Sequence, residues 1–216
     1  MTRLYVLPGL AADARTFGQF SVPGMEVVPF TWVPPRKGES LSQYAHKLRE
    51  QVQEDEPFCL LGVSFGGMIM LELAKIIRPQ HTFLVSAAKT HREIPPYYRL
   101  IGFTPRLLPY WLWKHLMVRS RKKGAAVHDE FLEVLLTMIR ESEGSLFRWS
   151  TSATLRWRNY TVPENLSHMH GQQDPLLPAK YMTPDVWVED GTHYLINTHA
   201  AQISQWIRDT TTPAQS

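Results

Sequence analysis

The chain has 216 residues, 44% apolar and 20% charged, with a formal net charge of +3. That length suits one domain with a sizeable core, and the composition excludes a disordered polyelectrolyte. No apolar run approaches the roughly 20 residues that a membrane-spanning helix needs, and no nucleic-acid-binding motif accompanies the charge.

Residues 3–7 read as a strand, ended by Pro8-Gly9. The segment before Gly9 is too short, and broken too early by proline, for a signal peptide. Asp13 can cap a short helix that carries Phe17 and Phe20. Residues 25–31 form a second strand with a proline near its end, and Pro34-Pro35-Arg36-Lys37-Gly38 is a loop. Ser40-x-x-Gln43 is a capping box, after which Leu41, Tyr44, Ala45, Leu48 and Val52 share a helical face.

Residues 57–78 are the most informative stretch. Phe58 to Leu61 is short enough for a buried strand, and an apolar run at helical spacing continues from Met68 through Leu71 and Ala74 to Lys75. Between them stands Gly62-Val63-Ser64-Phe65-Gly66. A serine between two glycines at a strand-to-helix junction is the pattern of a nucleophile elbow. So tight a turn puts Ser64 at φ > 0, a strained conformation for a residue with a Cβ. Gly62 and Gly66 would let neighbouring backbone approach, and the helix N-terminus favours negative charge beside the hydroxyl. The single cysteine, Cys59, lies in the strand, where a packing role fits better than a redox one.

Arg78-Pro79 marks the helix end, and residues 82–86 form another strand. From about 92 to 160 the alternation stops. Thr104-Pro105 opens a helix, and 129–141 and 145–157 read as two more. Aromatics crowd this block: Tyr97, Tyr98, Phe103, Tyr110, Trp111, Trp113, Trp149, Trp157 and Tyr160. Alternation resumes with strands at 166–170 and 186–189 and a closing amphipathic helix over 198–208. Strands separated by helices imply a parallel sheet with helices on both faces. The domain reading is therefore a core over 1–91 and 161–216, with 92–160 inserted as an all-helical lid above the sheet's carboxyl edge. Open α/β sheets place their ligands at that edge. Most of the aromatics are expected to pack the insertion onto the core, and a minority to line a pocket.

A serine nucleophile needs a base, and the base needs an orienting acid. Of the nine histidines, His193 follows the last strand in a glycine-containing loop. Asp174 lies in Gly171-Gln172-Gln173-Asp174-Pro175, just past the strand before it. The order Ser64, Asp174, His193 is that of an elbow-type hydrolase. Glu93, after the strand at 82–86, is an alternative acid. Asp190 is near His193 in sequence but should turn away with Gly191.

On Gly62-Val63-Ser64-Phe65-Gly66-Gly67, Gly171-Gln172-Gln173-Asp174-Pro175 and Gly191-Thr192-His193, the chain resembles a compact member of the α/β-hydrolase superfamily. The resemblance spans nearly the whole length. It implies Ser64 as nucleophile, His193 as general base and acid, and Asp174 as orienting carboxylate. Many members carry two more strands before the one at 3–7, so about six, all parallel, are expected here. An oxyanion hole needs two backbone donors. The Phe65 amide is one; the other should come from Pro8-Gly9-Leu10-Ala11-Ala12-Asp13, with Leu10 preferred and Ala11 the fallback.

His168 and His170 face the same way on a strand and could bind a metal, but nothing nearby in sequence completes a tetrahedral set. No phosphate loop or dinucleotide fingerprint is present. The basic run Lys114, Arg119, Arg121, Lys122 and Lys123 reads as a solvated face, or else as an attraction for an anionic substrate or a membrane surface. The expectation is a cytoplasmic, cofactor-free serine hydrolase that cleaves an ester or thioester of a small, mainly apolar substrate. Lyase or C–C hydrolase chemistry on the same residues, and a non-catalytic binding protein on the same fold, are the alternatives.

Overall fold

The structure is a computed structural model and describes residues 1–98, 111–112, 115 and 129–212. Among the described residues, six strands form one sheet: β1 Thr2–Leu7, β2 Met25–Pro29, β3 Phe58–Val63, β4 His81–Val85, β5 Leu166–Gly171 and β6 Val186–Val188. Their order is β2-β1-β3-β4-β5-β6, and every pairing is parallel. The described helices are α1 Leu41–Leu48, α2 Phe65–Ala74, α3 Asp129–Glu141, α4 Gly144–Arg156, α5 Leu195–Thr198 and α6 Ala200–Thr211.

A parallel sheet covered on both faces needs apolar residues on both. In β1 and β3, Tyr5, Leu7, Phe58 and Leu60 pack with α1 and α2. Their neighbours Leu4, Val6, Cys59 and Leu61 pack on the other face with Phe17, Phe20 and α6. Each fully buried Leu or Phe contributes about 1.5–3 kcal/mol. β3 is buried along its whole length, and α2 is buried from Phe65 through Leu73. The serine between them therefore hangs from two buried elements.

The capping box before α1 is present, with Gln43 N–H donating to Ser40 Oγ and Ser40 N–H to Gln43 Oε1. Asp13 caps only a 3₁₀ turn, Ala14–Phe17, so Phe20 lies beyond it. The helix face expected to reach Val52 stops at Leu48 and passes into a 3₁₀ turn, Arg49–Gln51. β2 ends at Pro29, two residues early, because the Gln51 side chain takes over both backbone groups of Thr31. The closing helix is divided: His199 leaves helical geometry at φ −127°, where its ring reaches Asp190. The helix start at Thr104-Pro105 and the basic run from Lys114 to Lys123 lie outside the described residues.

α4 is bound to the core by buried polar anchors. Trp149 donates its indole N–H to the Glu39 carbonyl, and Trp157 donates to Glu72 on α2. Glu72 also accepts from Lys75, which pairs with Asn159. Trp149 and Trp157 are buried, whereas Trp111 and Tyr160 are about 70% exposed, at 69% and 71%.

Candidate active site

Ser64 has φ 54° and ψ −121°. The strain is held in place by its surroundings. Ser64 N–H donates to the Val85 carbonyl at the end of β4, and its own carbonyl accepts from Gly67. A Cβ on Gly62 would run into the Gly67 backbone, and one on Gly66 would run into the carbonyls of Leu7 and Pro8. Strand, turn and helix thus meet at distances that only glycine permits.

The Ser64 hydroxyl points at His193, with Oγ 2.9 Å from Nε2. His193 Nδ1 lies 2.7 Å from Asp174 Oδ2. A carboxylate only accepts, so Nδ1 carries the proton and donates to Asp174. In the neutral ring Nε2 is then a lone pair facing the serine O–H. Asp174 Oδ1 accepts from the amides of Leu176 and Leu177. Burial pushes the Asp174 carboxyl up, but the His193 charge, the His193 hydrogen bond and the Leu177 amide outweigh it and hold the group below its ordinary value.

The loops carrying Asp174 and His193 are packed backbone to backbone. Gln172 N–H donates to the Val188 carbonyl and Gln173 N–H to the Gly191 carbonyl. His170 lies beneath them, with Nε2 2.8 Å from the Leu177 carbonyl and 3.4 Å from Asp174 Oδ2. Burial lowers the basicity of this imidazole, against the opposing pull of Asp174.

The other sequence candidates stand elsewhere. Glu93 is buried, and its carboxylate accepts from the amides of Lys89, Thr90 and Thr183 and from the Thr183 hydroxyl. Asp190 is exposed and pairs with His199. Among the described residues, no group of three or more His, Cys, Asp or Glu could hold a metal ion.

The loop after β1 lies against the serine. A Cβ on Gly9 would sit 3.3 Å from the Ser64 Cβ. Ala12 N–H closes a turn onto the Gly9 carbonyl, and Ala11 stands at φ 60°. Beside this turn a cavity of about 210 Å³ is bordered by Ala11, Trp32, Val33, Met138 and Leu146 and by the charged Asp13, Arg15, Glu141 and Glu143. An aromatic group adjoins it: Trp32 stacks on Phe65 at 6.1 Å, and Trp149 meets the same ring edge-on at 5.7 Å. Sequence reasoning singled out Trp149 but missed Trp32. Its signal was a lone tryptophan just past a strand end, directly before a proline-rich loop.

Among the described residues, no helix is long and apolar enough to cross a membrane. The sequence has no significant match among curated proteins. Solved structures are similar over nearly all of the chain. An esterase from Thermogutta terrifontis is 15% identical with a TM-score of 0.72, over 98% of this chain and 91% of that one. An esterase from Exiguobacterium antarcticum is 14% identical with a TM-score of 0.75, over 98% and 92%. A thioesterase from the prodiginine biosynthetic pathway of Streptomyces coelicolor is 15% identical with a TM-score of 0.64, over 97% and 90%. At these identities the likeness is one of fold. The sequence profile described as the alpha/beta hydrolase family matches residues 4–206. With that match over most of its length, the chain belongs to the alpha/beta hydrolase family.

Proposed function

We propose that this protein is a serine hydrolase that cleaves a carboxylic ester or thioester of a small, mainly apolar substrate. The observation that carries the reading is the hydrogen-bonded series from Ser64 through His193 to Asp174, at 2.9 and 2.7 Å, with the serine held at φ 54°. Family membership and the esterase and thioesterase folds support it.

Ser64 Oγ attacks the substrate carbonyl carbon while His193 Nε2 takes its proton. The carbonyl oxygen becomes an oxyanion held by the amides of Phe65 and Leu10. Phe65 is the first residue of α2, where helix amides lack intrahelical acceptors. Asp174 keeps the imidazole oriented and stabilises its positive charge. His193 then gives the proton to the departing alcohol or thiol, and the acyl group stays on Ser64. Water attacks next, His193 takes its proton, and the second tetrahedral intermediate collapses to free acid, with the proton returned to Ser64.

The cavity of about 210 Å³ beside Ala11 and Trp32 is bordered also by Asp13, Arg15, Glu141 and Glu143, and none of Ser64, Asp174 and His193 lines it; the short, mainly apolar substrate is part of the proposal. α3 and α4 belong to the segment that lies between β4 and β5 in sequence. In this reading that segment, residues 92–160, is a lid on the core formed by 1–91 and 161–216. The test is turnover of p-nitrophenyl esters and acyl thioesters of rising chain length. Hydrolysis of the short members, absent in Ser64→Ala, supports the reading. Equal rates in the variant and the unaltered protein contradict it.

A further inference from the structure

The loop after β1 and the first residue of α2 would supply the oxyanion donors, and one side chain touches both segments. The Trp32 indole N–H donates to the Ala12 carbonyl at 2.8 Å. Its ring plane lies 23° from that of Phe65, with centroids 6.1 Å apart. Ala12 closes the turn that carries Leu10 and Ala11, and Phe65 directly follows the serine.

The turn needs an external hold. Ala11 is at φ 60°, a conformation that costs a residue with a Cβ about 1 kcal/mol or more. Such backbone persists only where its surroundings over-determine it. The Ala12 carbonyl, one residue on, is the group that Trp32 fixes. Trp32 is itself held. The next residue, Val33, donates its N–H to the Tyr44 hydroxyl and accepts the Tyr44 O–H on its carbonyl. A chain of contacts therefore runs from α1 through Tyr44, Val33 and Trp32 to the turn that carries Leu10 and to the Phe65 ring.

We infer that Trp32 is a positioning residue that sets the spacing between the Leu10 and Phe65 amides. The inference rests on the hydrolase reading above. Its role is felt by the oxyanion and hardly by the bound ester, since donors must match the place the oxyanion will occupy.

The decisive variant carries 3-benzothienylalanine at position 32, which replaces the indole N–H by sulfur and leaves the ring outline and cavity wall as they are. Short p-nitrophenyl esters serve as substrates. A trifluoromethyl ketone, which adds Ser64 Oγ to form a bound oxyanion, serves as transition-state probe. The expected result is a kcat about 10-fold lower, KM within about twofold, and inhibition weakened by about the same 10-fold. The melting temperature should hold. Trp32→Phe offers a second route: kcat and inhibition should fall at least as far, on top of the KM and melting-temperature changes that loss of ring volume brings. Unchanged kcat and inhibition in a variant of an active enzyme overturn the inference alone. So does a loss confined to KM or melting temperature. If the unaltered protein is inactive, or Ser64→Ala matches it, the hydrolase reading falls first and this inference falls with it.

Discussion

Gly171 and Gly191 lie against one another with no side chain between them. A Cβ on Gly171 would strike the Gly191 carbonyl, and one on Gly191 would come within 3.0 Å of the Gly171 Cα. This contact sets the separation of the loops that carry Asp174 and His193. Gly171→Ala should force them apart and lengthen the His193–Asp174 hydrogen bond. A displacement near 1 Å costs about 10²-fold in rate. The expected outcome is a kcat lower by about that factor with a reduced melting temperature, measured by ester kinetics and thermal unfolding.

The sheet and the site were legible in the sequence to different degrees. Short apolar runs marked the buried strands, because neighbours such as Leu4/Tyr5 and Cys59/Leu60 face opposite apolar layers. Ser64, Asp174 and His193 were legible because local backbone demands leave fixed marks: glycines beside the serine, and glycine loops past two strand ends. The ends of β2 and the closing helix were not. Gln51 holds Thr31 from 20 residues away, and His199 leaves helical geometry beside Asp190; local sequence pattern shows neither contact. Trp32 was hidden for the same reason, since its partners Ala12 and Phe65 are set by tertiary packing.

Ser64→Ala and His193→Ala should each lower kcat by about 10⁴–10⁶, and Asp174→Asn by about 10⁴. In the proposed mechanism the three groups act as one unit, so the effects should not add. Combining Ser64→Ala with His193→Ala should cost little beyond either alone. Steady-state kinetics on a short activated ester, with circular dichroism to check folding, settle the point.

His168 gives the stability a pH dependence. It is fully buried, and neither ring nitrogen has a hydrogen-bond partner among the described residues. Burial depresses its basicity strongly, with the His170 and Lys89 charges acting the same way. The unfolded chain therefore binds a proton that the folded chain refuses, and stability falls as pH drops below the unfolded value of about 6.5. His168→Leu removes this penalty along with two unsatisfied polar atoms. It should stabilise by about 1–2 kcal/mol at pH 5.5 and by less at pH 8. His170 and His81, depressed in the same direction by burial, should leave part of the slope in place. Urea unfolding at the two pH values measures it.

The central claim is that Ser64 is an activated nucleophile. Labelling with a fluorophosphonate probe, followed by mass spectrometry to locate the adduct and with Ser64→Ala as control, tests it most directly. The expected result is a single adduct on Ser64 that the variant lacks and that His193→Ala forms far more slowly. Folded protein that takes up no probe, or takes it up equally in the variant, would contradict the account.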